Sequence, residues 1–162
     1  MLQYIALGAA SFLLIFSAGT DIYSRRIYNS ASFCIFFLAI LVAHGRGDLT
    51  EEMVAVILIF PFLYTLWILR IFGGGDVKFI LAVIPLVPLC RLVSMFLSIS
   101  VAGIFVALCC LAVSRLGKWD QKYSVSLSGV SALRVKSPVS VPYGVAIAMG
   151  VLVETFRDQG MQ

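Results

Sequence analysis

Asp76 stands in Phe72-Gly73-Gly74-Gly75-Asp76-Val77-Lys78-Phe79, where three glycines, a carboxylate and an ammonium group separate two long apolar runs. A second acid, Asp21, leads the polar turn Asp21-Ile22-Tyr23-Ser24-Arg25-Arg26-Ile27-Tyr28-Asn29. Inside hydrocarbon an ionisable residue is expensive and marks a functional candidate. Glycine lets the backbone turn tightly and approach a ligand or another helix closely. The plainer alternative is a glycine turn with Asp76 as the N-cap of the next helix. Paired, the two carboxyls suit aspartyl hydrolysis. Like charges held close do not both ionise easily, so one carboxyl keeps its proton while the other accepts one from water. The ionised member deprotonates the attacking water, and the protonated member hydrogen-bonds to the scissile carbonyl oxygen. Their roles then reverse to protonate the leaving amine. Such a pair titrates as a unit.

Competing chemistries fail on residue count. His44 is the single histidine and there is no HExxH, which excludes a His-based zinc protease. Cys34, Cys90, Cys109 and Cys110 form no CxxC pair, which argues against a zinc ribbon or a disulfide framework and for small packing residues. Ser126-Leu127-Ser128-Gly129 lacks the leading glycine of a GxSG serine-protease motif. No metal and no cofactor are expected.

Whether the two acids meet depends on the elements that carry them. The chain has 162 residues, is 61% hydrophobic and 12% charged, and has a mean hydropathy of +1.04. That composition excludes a soluble domain. An apolar core about 30 Å thick needs roughly 20 helical residues to cross, and continuous apolar runs select helices over a barrel. The expected class is all-α, a polytopic membrane protein forming one peptidase-sized domain over residues 1–162.

Met1 to Thr20 is uncharged and followed by its positive charges, so it reads as a first span and not as a cleaved signal peptide. Further spans are expected from about Tyr28 to His44, Met53 to about Ile71, Leu92 to Ser114 and Ser137 to Val153. Phe79 to Cys90 is short and carries Pro85 and Pro88, so it crosses or dips back. Orientation decides. With six transmembrane helices, one side holds Arg25, Arg26, Arg70, Lys78, Arg115, Lys118, Lys122, Arg134 and Lys136, and the other only Arg46, Arg91 and Arg157. The positive-inside rule makes the richer side cytoplasmic and puts both termini outside. Asp21 and Asp76 then share the cytoplasmic face. The fourth helix must recruit residues from the glycine end to reach its length. The net charge of +4 reflects these loops, and no nucleic-acid partner is implied.

Gly73-Gly74-Gly75-Asp76 matches the GxGD signature of intramembrane aspartyl proteases, and Asp76-Val77-Lys78 extends it as in bacterial type IV prepilin peptidases. The turn from Asp21 to Asn29 resembles their first-aspartate motif, with Arg26 and Asn29 in place and Tyr28 where proline is common. Val141-Pro142-Tyr143-Gly144-Val145-Ala146-Ile147-Ala148 resembles their last-helix motif. The resemblance implies Asp21 and Asp76 as the catalytic pair. It also implies support from Gly73, Gly75, Lys78, Arg26, Asn29, Pro142 and Gly144, and a place in the bacterial inner membrane. Longer members begin with a cytoplasmic domain carrying paired CxxC motifs and N-methylating activity. This chain resembles the short branch that processes Flp pilins of tight-adherence systems, which implies a Flp-type prepilin as partner, membrane lipid as surroundings and no methylation.

The other roles stay open. Lys78 can orient Asp76, bind the substrate backbone or snorkel. Pro142 and Gly144 either break the last helix beside the acids or form an ordinary kink. A non-enzymatic membrane subunit of a pilus, secretion or transport assembly, with Asp76 and Lys78 paired structurally, is the alternative.

Overall fold

A computed structural model describes residues 2–24, 28–115 and 141–159. They form six α-helices: α1 Leu2–Ser24, α2 Asn29–Arg46, α3 Leu49–Ile68, α4 Gly74–Val83, α5 Leu92–Arg115 and α6 Tyr143–Gln159. Two 3-10 turns, Ile84–Leu86 and Leu89–Arg91, link α4 to α5. Arg25, Arg26 and the basic residues Lys118, Lys122, Arg134 and Lys136 lie outside the described residues.

Four helical stretches are long and apolar enough to cross a membrane: Gln3–Ser24, Asn29–Arg46, Leu49–Ile68 and Leu89–Val113. Six spans were expected. The remaining two helices are shorter, for identifiable reasons. Pro85 and Pro88 cannot donate backbone hydrogen bonds, so α4 ends at Val83 and gives way to the 3-10 turns. The last helix was expected over 137–153 but begins at Tyr143. Pro142 disfavours helical backbone at the residue before it, and among the described residues Val141 and Pro142 are not helical.

Helices α2 and α3 end on the same device. Beyond α2, Gly47 adopts a left-handed conformation (φ 89°) and the Asp48 amide reaches back to the Ala43 carbonyl at 3.2 Å. Beyond α3, Arg70 takes the left-handed conformation (φ 57°) and the Ile71 amide reaches back to Leu66 at 3.0 Å. Both satisfy carbonyls that a helix end would otherwise leave without partners. The second reversal throws the chain into Gly73 and thus sets where α4 begins.

Side-chain contacts sort the helix ends into two groups. Asp21, near the end of α1, bonds to Gly144 at the start of α6. At the opposite end, Arg46 of α2 bonds to Pro85 and Leu86 after α4, and Ser94 at the start of α5 bonds to Glu154 of α6. The bundle therefore runs up and down, with α4 innermost: Val77, Phe79, Ile80, Ala82 and Val83 are all buried. Its outer faces carry exposed apolar side chains such as Phe12, Ile57, Leu97 and Leu108. Lipid tails are as apolar as these side chains, so area burial does not hold the helices together. Close packing and hydrogen bonds do. The cysteines, expected as packing residues, are free, with Cys34, Cys90 and Cys109 exposed.

Candidate active site

The four N-terminal amides of any helix lack intrahelical partners, and that end carries positive partial charge. Both candidate acids sit at such ends. Asp76 is the third residue of α4, whose N-cap is Gly73 and not Asp76 itself. Its carboxyl folds back over the first turn and accepts a hydrogen bond from the Gly73 amide, half of a capping box. Asp21 comes from a different helix. It is 6% exposed, and its Oδ2 accepts a hydrogen bond of 2.7 Å from the Gly144 amide in the first turn of α6. A cap supplied from 123 residues away in sequence is a tertiary contact, and it ties α1 to α6 at this spot.

The glycine at 144 is required by that approach. A Cβ there would lie 2.8 Å from Asp21 Oδ2 and 3.1 Å from its Cγ, inside van der Waals contact. Pro142 directly precedes α6 and Gly144 lies in its first turn. The Gly144 amide of that turn is presented to Asp21.

Asp21 and Asp76 are close enough for the charge of Asp21 to act on Asp76. The structure thus brings Asp21, Asp76, Gly73 and Gly144 together from three helices. It leaves Gly75 and Lys78 exposed on α4, and Asn29 exposed as the first residue of α2. Among the described residues no ion pair joins Asp76 to Lys78, so the structural pairing that would make Asp76 a scaffold residue has no support here. His44 lies exposed in the last turn of α2, at the other end of the bundle.

An apolar cleft of about 450 Å³ lies among α3, α4, α5 and α6, and neither carboxyl lines it. Leu63 and Leu66 of α3 and Gly103 and Ala107 of α5 line its walls. Phe72 and Tyr143, each next to a glycine that holds an acid, also line it. Two carboxyls sharing a proton can activate a water against an amide carried by an apolar segment.

Several polar residues escaped the sequence reading. Glu52 and Glu154 are 0% and 1% exposed, and Arg46 reaches back into the bundle. The available signal was Glu154 within the apolar run after Val151. An expected span boundary at Val153 assigned it to a loop.

The family model described as the type IV leader peptidase family matches residues 8–108, which include Asp21 and Asp76. No curated protein and no solved structure matches the chain.

Proposed function

The chain belongs to the type IV leader peptidase family, a family of aspartic-type prepilin peptidases, and on that premise we propose that Asp21 and Asp76 are its catalytic pair. The observation that carries the reading is their meeting at one end of the bundle, each held by the amide of a glycine at a helix start. One carboxylate takes a proton from water as that water attacks the scissile carbonyl. The protonated partner hydrogen-bonds to the carbonyl oxygen, and the tetrahedral intermediate collapses as the leaving amine gains a proton. The Gly144 amide fixes the direction in which the Asp21 lone pairs point.

The substrate is a prepilin, whose leader is removed at the cytoplasmic face of the bacterial inner membrane. Its Flp-type identity rests on resemblance to the short branch. Cleavage proceeds without N-methylation, since the four cysteines supply no paired CxxC, and residues 1–162 act as one peptidase domain. All six helices cross, with both termini outside. Ten α-helical residues rise only about 15 Å, half of a core about 30 Å thick, and the two 3-10 turns after α4 extend the crossing.

The test is co-expression with Flp-type pilin precursors, reading the new N-terminus by mass. Leader removal without a methyl increment is the expected product. An intact precursor overturns the assignment of substrate, and a methylated product overturns the proteolysis-only reading. Reporter fusions near residues 24, 48, 122 and 160 are expected to read in, out, in, out. A cytoplasmic C-terminus would sink the six-span orientation.

A further inference from the structure

Helix α6 delivers the Gly144 amide to Asp21, yet its firmest polar anchor lies near its other end. Glu154 Oε1 accepts hydrogen bonds from Ser94 Oγ and Ser98 Oγ, each at 2.8 Å. The two serines are one helical turn apart on α5, so they present one face to α6. Arg157 Nη1 stands 3.9 Å from the same oxygen, and the charge of Arg91 also acts on Glu154. One turn closer to the site, α6 lies directly on the backbone of α5. A Cβ at Gly150 would fall 2.6 Å from the Ile99 amide nitrogen.

We propose that Glu154 and Gly150 are positioning residues for the catalytic pair, setting the register of α6 on α5 and thereby the placement of the Gly144 amide on Asp21. The inference rests on the reading of Asp21 as catalytic. Apolar helix faces in lipid have no directional preference along the axis, whereas paired hydrogen bonds to a carboxylate do. A polar group fixing register is the best-attested use of such buried contacts. The ten helical steps from Gly144 to Glu154 span about 15 Å of rigid helix, and a slip by one residue moves the amide by about 1.5 Å. That shift takes a 2.7 Å contact beyond hydrogen-bonding distance. Misplacement of about 1 Å in a catalytic constellation can cost 10²-fold in rate.

The experiment measures prepilin cleavage by purified wild type, Asp21→Asn, Glu154→Leu, Glu154→Gln, Ser94→Ala/Ser98→Ala and Gly150→Ala, with folded protein quantified alongside. Glu154→Leu, the double serine variant and Gly150→Ala are expected to lose about tenfold or more in kcat, with KM within about twofold. Glu154→Gln keeps an oxygen for both hydroxyls and is expected to recover most of the rate. The dependence of kcat on pH separates the explanations. Loss of folded protein scales the rate equally at every pH, whereas a displaced Gly144 amide alters the profile. If Glu154→Leu fails to fold, the serine variant decides, because it leaves the carboxylate in place. Wild-type kcat and profile in the serine and Gly150 variants would overturn the proposal. Cleavage retained by Asp21→Asn would instead overturn the catalytic pair, so the two failures are distinguishable.

Discussion

Both ends of this bundle take carboxyl groups into an apolar interior, and they hold them by different means. At the glycine end, Asp21 and Asp76 accept hydrogen bonds from the backbone amides of Gly144 and Gly73. At the far end, Glu154 meets two serine hydroxyls and Arg157, while Glu52 lies 3.7 Å from Arg46 Nη2. Arg46 also donates to the Leu86 and Pro85 carbonyls at 2.7 and 3.0 Å, closing the end of α4. Side-chain partners neutralise or satisfy a buried acid, and so suit it to holding helices in place. Amides at a helix start orient a carboxyl through its lone pairs. On the proposed assignment, the contrast separates carboxyls that position from carboxyls that react.

The largest effect expected lies at the glycine end. Asp21→Asn and Asp76→Asn should each lower cleavage by a factor on the order of 10⁴ while solubilised yield and Tm hold. Asn keeps the shape of Asp but cannot shuttle the proton, and groups acting as a unit are not additive. The double variant should therefore be about as inactive as either single one. Near-normal cleavage by either single variant would erase the distinction between the two ends.

Gly144→Ala comes next. The added methyl meets Asp21 Oδ2 at 2.8 Å, so either the carboxyl or α6 must move. Cleavage is expected to fall about 10²-fold, since the shift falls on a proposed catalytic carboxyl itself. Pilin cleavage at saturating substrate measures it. A silent Gly144→Ala would mean that the Asp21 cap is dispensable.

How much of this comparison could be read from the chain follows from where each end keeps its information. The glycine run, the acid beside it and the second acid after the first span are local patterns, and charge asymmetry placed them on one face. Apolar run length likewise foretold the long helices, and the need of the fourth helix for residues from the glycine end matches its start at Gly74. The Gly144 cap was not legible, because a backbone amide has no sequence signature and its partner is 123 residues away. Arg46, Arg91 and Arg157 entered the charge count only as the poorer side of the membrane. In the fold all three act on buried acids, Arg46 on Glu52 and the others on Glu154. A charge near a span end looks the same in sequence whether it faces water or a partner helix.

At the far end the expected loss is in stability. Arg46→Met removes the donor from the Pro85 and Leu86 carbonyls and strands the fully buried Glu52. Breaking a buried pair from one side costs about 3 kcal/mol or more. Thermal unfolding in detergent should show a lower Tm, with cleavage per folded molecule far less affected than in Gly144→Ala. Adding Glu52→Leu should restore part of the Tm, because the stranded acid is then gone. A variant that unfolds no earlier than wild type would remove Arg46 from the clamp.

The smallest effect tests whether the glycine end really works without a cation on α4. Lys78 stands two residues after Asp76, where helical geometry turns it away from the acid, since residues i and i+2 do not face each other. It is exposed, and no ion pair joins it to Asp76 among the described residues. Lys78→Met keeps the length and apolar stem of the side chain and removes only the charge. Stability should stay within about 0.5 kcal/mol, as for surface substitutions away from special contacts. Cleavage should stay within about threefold, because Gly73 and not Lys78 holds the Asp76 carboxyl. A tenfold fall in kcat with Tm preserved would give the ammonium a part in orienting Asp76. A rise in KM alone would place it on the substrate backbone. Either outcome would give Asp76 a charged helper on its own helix, as Glu154 has in Arg157.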